Sequence, residues 1–197
     1  GDRGIVIPSP PPPIVRYFDR DKAARTDKAA RNRAAAALPG QTSDCRRIEV
    51  AANIGHPEEL AAAWTNGAEG IGLFRTELLL FDRAAPPGEE EQAALYSRLA
   101  RESDGRPVII RTFDIGGDKP IPYLPMPAES NPFLGFRGIR VYEKFSGLFR
   151  VQLRAILRAA ADGPLKMMFP MVGTVDEMIA AKAHLDAVRE ELEREGV

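Results

Sequence analysis

The sequence predicts an α/β protein built on a parallel β-sheet, and three observations lead to that class. Short apolar segments alternate with helical segments four times between Ile48 and Val197. The apolar segments are nearly continuous, which is typical of strands in a sheet covered by helices. Each is followed by a stretch with helix-start residues or with apolar residues at helical spacing. Four consecutive strand-then-helix units favour strands that all run in the same direction.

Local signals predict the helix of each unit. Pro57 precedes two glutamates and Glu89 opens a run of three, as expected at the positive N-terminal end of a helix dipole. Thr174 and Glu177 have the spacing of a capping box. Buried stripes are predicted for the last two helices, at Phe145, Leu148, Phe149, Leu153, Ile156 and Leu157 and at Met178, Ala181, Leu185, Val188 and Leu192. The predicted pairs are Ile48–Ile54 with Pro57–Asn66, Ile71–Arg75 with Glu89–Glu102, Pro107–Thr112 with Lys144–Ala161, and Leu165–Val172 with the helix that Thr174 opens.

The first 47 residues differ from the rest in charge and composition. They carry ten basic and five acidic side chains, a net charge of +5, whereas the remainder sums to −6. A candidate strand over residues 1–7 leads into a proline run that ends at Pro13, which neither a helix interior nor a central strand tolerates. A helix rich in Ala, Lys and Arg is predicted over Asp19–Leu38. We therefore expect residues 1–47 to be the end of a preceding domain plus a linker, and residues 48–197 to form the sheet domain.

The overall composition excludes several classes of protein. The chain has 27 Lys and Arg against 28 Asp and Glu, so its net charge of −1 gives no general attraction for nucleic acid or an acidic membrane. No apolar run approaches the roughly 20 residues of a membrane span, and no signal sequence opens the chain. A single Cys excludes a disulfide framework. We expect a cytoplasmic protein that binds neither nucleic acid nor membrane.

Two parallel architectures fit the pattern, a doubly wound sheet and a (β/α)₈ barrel. A doubly wound sheet usually carries a glycine-rich phosphate loop after its first strand, but the segment Asn53–Pro57 contains one Gly. Polar and charged residues cluster instead at the carboxyl ends of several strands, where barrels keep their chemistry. A barrel needs eight strands and about 250 residues. The sequence supplies four such strands, so from the residues alone the two architectures remain open.

Two of the predicted strands end in the same Arg-Thr pair. Arg75 closes the second strand and is followed by Glu77, and Arg111 closes the third and is followed by Asp114. A guanidinium group at the edge of a sheet presents a planar fork that matches the oxygens of a phosphate or carboxylate. Each arginine could equally pair with its own neighbouring acid as a structural ion pair. From the residues alone, an anion site and two local ion pairs both remain open.

A long connection follows the third strand and carries further charged residues. It runs from Asp114 to about Phe136, far beyond the roughly 2–6 residues usual for such a loop. Its start, DIGGDKP, has paired glycines that let backbone N–H groups approach an anion, with Lys119 as a point charge, although Gly-Gly-Asp is also an ordinary turn. Its end, NPFLGFRGIR, adds Arg137, which could reach the same anion, and Arg140, expected at the surface.

The remaining polar candidates have no partners at catalytic or metal-binding spacing. His56 and His184 are expected to be surface or capping residues. Cys45 is expected to be a lone thiol before the first strand. The glutamates at 89–91 are expected to mark a helix start rather than a metal site.

Seven stretches of the sequence, in their order and spacing, closely resemble one enzyme family. They are AANIG, NGAEGIGLFRTELLLFDR, PPGEEEQ, RTFDIGGDKPIPYL, NPFLGFRGIR, QLRAILRAA and MFPMV. The family is that of the phosphoenolpyruvate-protein phosphotransferases, enzyme I of the bacterial sugar phosphotransferase system, sometimes fused into multiphosphoryl transfer proteins. Pyruvate phosphate dikinase and phosphoenolpyruvate synthase share the barrel, but the DIGGDK stretch is more similar to enzyme I. The resemblance covers about residue 48 to the end and is looser over residues 1–40. It implies that the chain contains the first four of the eight units of a TIM-type barrel.

The resemblance implies substrate-binding roles for three arginines. Arg75 and Arg111 match family residues that bind the phosphate of phosphoenolpyruvate, and Arg137 matches a further active-site arginine. The family binds Mg²⁺ through a Glu and an Asp that follow its fifth and sixth strands, and it protonates enolpyruvate with a Cys on a later strand. None of these has a counterpart here, nor has the phosphohistidine, and Cys45 precedes the barrel. The resemblance therefore implies no catalytic residue and no metal ligand within this chain.

The resemblance also implies an activity for the whole enzyme. The phosphoryl group of phosphoenolpyruvate moves to an enzyme histidine and then to a phosphocarrier protein for sugar uptake, with Mg²⁺, in a homodimer. We expect the 197 residues to keep the arginine side of the substrate site and to be inactive alone. The alternatives are a fragment of a dikinase-like or synthase-like barrel and a non-catalytic half-barrel with an anion-binding or structural role. Two half-barrels could pair at their open strand edges.

Overall fold

The computed structural model describes residues 4, 6–81, 83–116, 121–127 and 129–197. The chain forms two compact units, Gly1–Ile48 and Glu49–Val197. Within the described ranges, no helix combines the length and the apolar character that a membrane span requires.

The first unit contains one long helix, α1, at Pro12–Ala35. The prediction that the proline run stays outside this helix was wrong, since Pro12 and Pro13 occupy its first turn, where N–H groups have no acceptor within the helix. The helix thus begins seven residues before the predicted start at Asp19, and it contains no buried residue. Its role as a linker stays a prediction. The described residues among 1–7 lie in no strand, and the others lie outside the described part of the chain.

The second unit contains a four-stranded parallel sheet. Its strands are β1 Ala51–Ile54, β2 Gly70–Arg75, β3 Val108–Arg111 and β4 Leu165–Met168. Neighbours in sequence are neighbours in the sheet, in the order β1-β2-β3-β4, and every pair is parallel. A doubly wound sheet reverses its strand order at a switch point, whereas barrel strands follow one another in sequence. The parallel α/β prediction is confirmed, and this order fits part of a barrel.

Strands β1, β3 and β4 are shorter than predicted, whereas β2 begins one residue earlier, at Gly70. Before β1, the N–H of Ile48 donates to Gly40 within the first unit, and the N–H of Val50 donates to the Glu69 carboxylate. The prediction that the fourth strand reaches Val172 was wrong. Pro170 has no N–H to donate to a sheet, and Met171 has a positive φ of 60°.

The helices of the second unit follow the strands in the predicted order. They are α2 Leu60–Thr65, preceded by a short 3₁₀ helix at Pro57–Glu59, then α3 Glu89–Glu102, α4 Ser146–Ala159 and α5 Val175–Glu195. The capping box of α5 is confirmed: the Glu177 N–H donates to Thr174 Oγ1 at 3.2 Å, and the Thr174 N–H donates to the Glu177 carboxylate at 3.1 Å. Of the predicted stripe on α5, Met178 is 37% exposed, so that assignment was wrong, while Ala181, Val188 and Leu192 are buried.

Two apolar clusters form the core. The first lies between the sheet and helices α2, α3 and α4, and the second joins α4 and α5 to the connection that follows β3. Phe74 and Ile110 point into the first cluster. Because side chains alternate along a strand, the next residues, Arg75 and Arg111, leave the sheet on the opposite face. The packing of the helices therefore directs both guanidinium groups away from the apolar core.

Candidate functional site

The candidate site lies at the carboxyl ends of β2 and β3. Arg75 and Arg111 are the last residues of these strands and are paired with each other in register. Parallel neighbours stand about 4.8 Å apart, so the two side chains start from adjacent positions on one face of the sheet. The two strand-end arginines singled out from the sequence are thus brought together by the fold.

The acids beside these arginines do not pair as the sequence order suggests. Arg111 contacts both, with Nη2 2.5 Å from Glu77 Oε1 and Nη1 3.1 Å from Asp114 Oδ2. The expectation of a local ion pair is therefore confirmed for Arg111 with Asp114. It is wrong for Arg75, because Glu77, which follows Arg75, binds the neighbouring strand's arginine instead. Within the described part of the chain, Arg75 has no ion-pair partner.

Arg137 joins the same cluster from the end of the long connection. Its Nε lies 3.0 Å from Asp114 Oδ1 and its Nη2 lies 3.3 Å from Asp114 Oδ2. Its guanidinium carbon stands 4.5 Å from the centre of the Phe133 ring, a cation–π distance. Gly116 permits this approach, since a Cβ there would lie 2.7 Å from the Cβ of Arg137. Asp114 thus holds Arg111 and Arg137 on one carboxylate.

Within the described part of the chain, three buried polar atoms of this cluster have no hydrogen-bond partner: Arg75 Nε, Arg111 Nε and Glu77 Oε2. Buried donors are normally satisfied, so orphaned N–H groups on two adjacent arginines indicate that an acceptor is missing. Among the described residues, three guanidinium groups stand against two carboxylates here, a net charge of +1. The cluster combines unused donors with excess positive charge, and this combination suits an oxyanion.

Two threonines that the sequence analysis did not weigh hold the strand ends. Thr76 and Thr112 each follow an arginine and are fully buried. Thr76 Oγ1 donates to the carbonyl of Arg111 at 2.6 Å, and Thr112 Oγ1 lies 3.3 Å from the carbonyl of Met168, which is in register with Arg111. Each hydroxyl therefore ties its strand to the next one at the level of the arginines. The repeated Arg-Thr pair was the signal that could have found them.

The other predicted candidates lie elsewhere or serve local structure. Arg140 is not simply a surface residue, because its Nη1 donates to the Leu134 carbonyl at 2.8 Å and its Nε lies 3.4 Å from Glu177 Oε1. His184 packs edge-on against Phe149 at 5.7 Å. The proposed anion loop at Gly117, Asp118, Lys119 and Pro120 lies outside the described residues.

Two candidates are exposed, and one glutamate run is structural. His56 caps the short helix at Pro57–Glu59, where hydrogen bonds from the N–H groups of Gly55 and His56 lower the pKa of the Glu59 carboxyl. Cys45 is an exposed free thiol. The glutamates at 89–91 form the first turn of α3, as predicted.

The described residues do not fit a Mg²⁺ site. They contain no group of three or more His, Cys, Asp or Glu side chains arranged to hold a metal ion. Glu77 and Asp114 are the acids of the cluster, and both are already paired with guanidinium groups. No step below is derived through a metal.

A parallel sheet whose polar residues gather at the carboxyl ends of its strands is the arrangement in which α/β proteins place their ligand sites. The sequence profile of one family, described as "PEP-utilising enzyme, PEP-binding domain", matches residues 29–197. The chain belongs to this family.

Two groups of relatives match nearly all of the chain. Multiphosphoryl transfer protein 2 of Escherichia coli (strain K12) is 45% identical over 199 residues, which cover 100% of this chain and 24% of the relative. The phosphoenolpyruvate-protein phosphotransferase of Geobacillus stearothermophilus is 45% identical over 194 residues, 98% of this chain and 34% of the relative. That of Priestia megaterium is 44% identical with the same coverage. The resemblance found in the sequence is confirmed, and the chain spans about a quarter to a third of the length of these relatives.

Proposed function

We propose that this chain forms the phosphate-binding side of the phosphoenolpyruvate site in a phosphoenolpyruvate-protein phosphotransferase. Arg75, Arg111 and Arg137 are the proposed substrate-binding residues. The observation that carries the proposal is the pair of orphaned, buried Nε–H groups on Arg75 and Arg111, which stand in register on adjacent strands. The family and the names of the relatives supply the ligand class. They favour this function over a dikinase-like or synthase-like one.

The ion pairs suggest different roles for the three arginines in phosphate binding. Arg111 and Arg137 are oriented by Asp114, so their remaining donors present a fixed geometry to the phosphate oxygens. Arg75 has no ion-pair partner among the described residues and supplies the uncompensated charge. Bidentate guanidinium–phosphate contacts are strong because both partners are ionised. The same contacts would stabilise the negative charge of a phosphoryl group during transfer.

In the whole protein, we propose the transfer that the relatives' names describe. The bond between phosphorus and the enol oxygen of phosphoenolpyruvate breaks, and a bond forms to the nitrogen of an enzyme histidine. The enolate takes a proton to become pyruvate, and the phosphohistidine passes its phosphoryl group to a phosphocarrier protein. The histidine, the proton donor and the ligands of Mg²⁺ are proposed to lie outside these 197 residues. We therefore propose that they bind phosphoenolpyruvate but do not transfer its phosphoryl group on their own.

Further parts of the proposal concern assembly and location. We propose that residues 1–47 are the end of a phosphohistidine domain and a linker, and that residues 48–197 form the N-terminal half of an eight-stranded barrel. A homodimer in the cytoplasm is proposed for the whole protein. Light scattering of the chain at high concentration tests association, and a monomer there would argue against a contribution from these residues.

Ligand-induced stabilisation tests the proposed site directly. Phosphoenolpyruvate at 100 times its dissociation constant should raise the unfolding free energy of the chain by about 2.7 kcal/mol, which is read as a higher thermal midpoint. Pyruvate, which lacks the phosphate, is the matched control ligand, and R75A is the control variant. No stabilisation by millimolar phosphoenolpyruvate would reject the site and leave a structural half-barrel. Phosphorylation of the carrier protein well above background by the isolated chain would reject its inactivity.

A further inference from the structure

A buried amide joins the two strand ends that carry Arg75 and Arg111. Gln152, on α4, is fully buried. Its Nε2 donates to Thr76 Oγ1 at 3.0 Å, and its Oε1 accepts from the backbone N–H of Phe113 at 2.9 Å. One of these partners follows Arg75 in the chain, and the other lies two residues after Arg111. A side chain from the helix layer therefore contacts both strands of the candidate site.

The Thr76 hydroxyl extends this link to the backbone of Arg111. It accepts from Gln152 and donates to the Arg111 carbonyl at 2.6 Å. Gln152 thus acts on Arg111 from two sides, through the carbonyl of Arg111 itself and through the N–H of Phe113. These backbone atoms set where both side chains begin. In the described part of the chain, Arg111 is anchored through its Nη atoms, whereas Arg75 has no ion pair.

The amide nitrogen of Gln152 donates a second hydrogen bond, and this fixes the orientation of the amide. Nε2 donates a second hydrogen bond to the Tyr96 hydroxyl at 3.2 Å, and that hydroxyl donates to Gln92 Oε1 at 3.1 Å. Burial raises the pKa of Tyr96, so its hydroxyl stays protonated and remains a donor to Gln92. A flipped amide would face the Phe113 N–H with another donor. The network therefore permits one amide orientation.

We propose that Gln152 is a positioning residue that sets the relative placement of Arg75 and Arg111 for phosphate binding. An apolar side chain of similar size would fill the same space between helix and sheet, yet the chain buries an amide there and satisfies all of its polar atoms. Two of its three hydrogen bonds go to residues just after the strands that carry the arginines, and the third goes to Tyr96 of α3. As far as it concerns phosphoenolpyruvate, this inference rests on the proposed function.

Gln92 provides a matched control for substitution. It is also a buried glutamine, 1% exposed, and it belongs to the same network through Tyr96. Its other hydrogen bond goes to the Pro87 carbonyl at 3.0 Å, so its amide contacts neither strand end of the site. Q152L and Q92L each remove one buried amide, but only Q152L releases Thr76 and Phe113.

The test combines nuclear magnetic resonance of the arginine Nε–H groups with phosphoenolpyruvate binding, in wild type, Q152L and Q92L. We expect Q152L to shift the Arg75 and Arg111 signals in the ligand-free chain and to weaken phosphoenolpyruvate binding by about tenfold or more. We expect Q92L to lower stability while leaving those signals and the affinity close to wild type. Unchanged arginine signals in Q152L, or equal changes in both variants, would overturn the proposal.

A second pair of variants covers the case in which Q152L does not fold. T76V removes the hydroxyl between Gln152 and the Arg111 carbonyl at constant shape, and T76S restores it. The proposal requires T76V to shift the Arg111 signal and T76S to return it toward wild type. If the wild-type chain binds no phosphoenolpyruvate, the proposed function fails, whereas the arginine signals still decide the positioning role.

Discussion

Glu77 follows Arg75 along the chain but forms its ion pair with Arg111 on the neighbouring strand, at 2.5 Å. Asp114 contacts a second nitrogen of Arg111 at 3.1 Å. Two arginines that occupy equivalent places in the sequence therefore differ in the folded chain. Arg111 is held by two carboxylates, whereas Arg75 has no ion pair among the described residues.

This asymmetry predicts different consequences for R75A and R111A. R75A breaks no ion pair and should change the free energy of unfolding by less than about 1 kcal/mol, while weakening phosphoenolpyruvate binding about tenfold or more. R111A leaves the mostly buried Glu77 carboxylate without its partner, whereas Asp114 keeps its pair with Arg137, and this should cost roughly 3 kcal/mol. Urea unfolding and calorimetric titration measure the two effects. Equal losses of stability in both variants would contradict the asymmetry.

Asp114 is predicted to be a main determinant of the local structure of the site. Its side chain is 5% exposed and pairs with Arg111 and Arg137. In D114N, the amide nitrogen would face guanidinium donors, so we expect a loss of about 2–3 kcal/mol in unfolding free energy. D162N is the matched control because the Asp162 pair with Arg101 is more exposed. A D114N variant no less stable than D162N would contradict this prediction.

A second ion-pair cluster joins three helices away from the site. Arg154 of α4 contacts Glu89 of α3 at 2.6 Å and Glu195 of α5 at 2.5 Å, and its side chain is 10% exposed. Because Glu89 keeps its pair with Arg158 and Glu195 is half exposed, we expect R154A to lower the free energy of unfolding by about 1–2 kcal/mol. R150A removes a neighbouring arginine that is 49% exposed and should cost about 0.5 kcal/mol or less. Denaturant unfolding of both variants measures the two losses of unfolding free energy. Equal losses would show that burial does not determine how much these ion pairs stabilise the fold.

The Glu59 carboxylate, which caps the backbone just after β1, is predicted to make a pH-dependent contribution to stability. The Glu59 carboxylate accepts hydrogen bonds from the N–H groups of Gly55 and His56, which lower the pKa of Glu59 below its ordinary value of 4.5. Its contribution is therefore present above pH 4.5 and is lost as the pH falls through the lowered pKa. E59Q should be less stable than wild type at pH 7, by roughly 1 kcal/mol or less at this exposed position. In thermal unfolding from pH 7 to pH 3, the stability difference between E59Q and wild type should shrink. A difference that does not change with pH would contradict a role for the ionised Glu59 carboxylate.

Much of the fold follows from local patterns. Helix α3 has the predicted bounds because a run of glutamates favours the N-terminal end of a helix, and the Thr174 capping box forms as its spacing indicates. The strands were predicted with the correct order and direction, and the ends at Ile54, Arg75 and Leu165 are confirmed, but the other ends were misplaced. Those ends depend on partners distant in sequence, such as the Glu69 carboxylate that accepts from Val50. The start of α1 was misjudged because proline is unfavourable inside a helix but acceptable in its first turn.

The sequence by itself determined the class of fold, the family and the arginines at the strand ends, since periodicity and short motifs are properties of neighbouring residues. Only the tertiary structure decided which acid meets which guanidinium group and that Gln152 joins the two strand ends. The contact between Arg111 and Glu77 spans 34 positions of the chain, and the contact between Gln152 and Thr76 spans 76 positions. They depend on strand register and on how α4 packs against the sheet, and both are set by the burial of apolar surface over the whole unit.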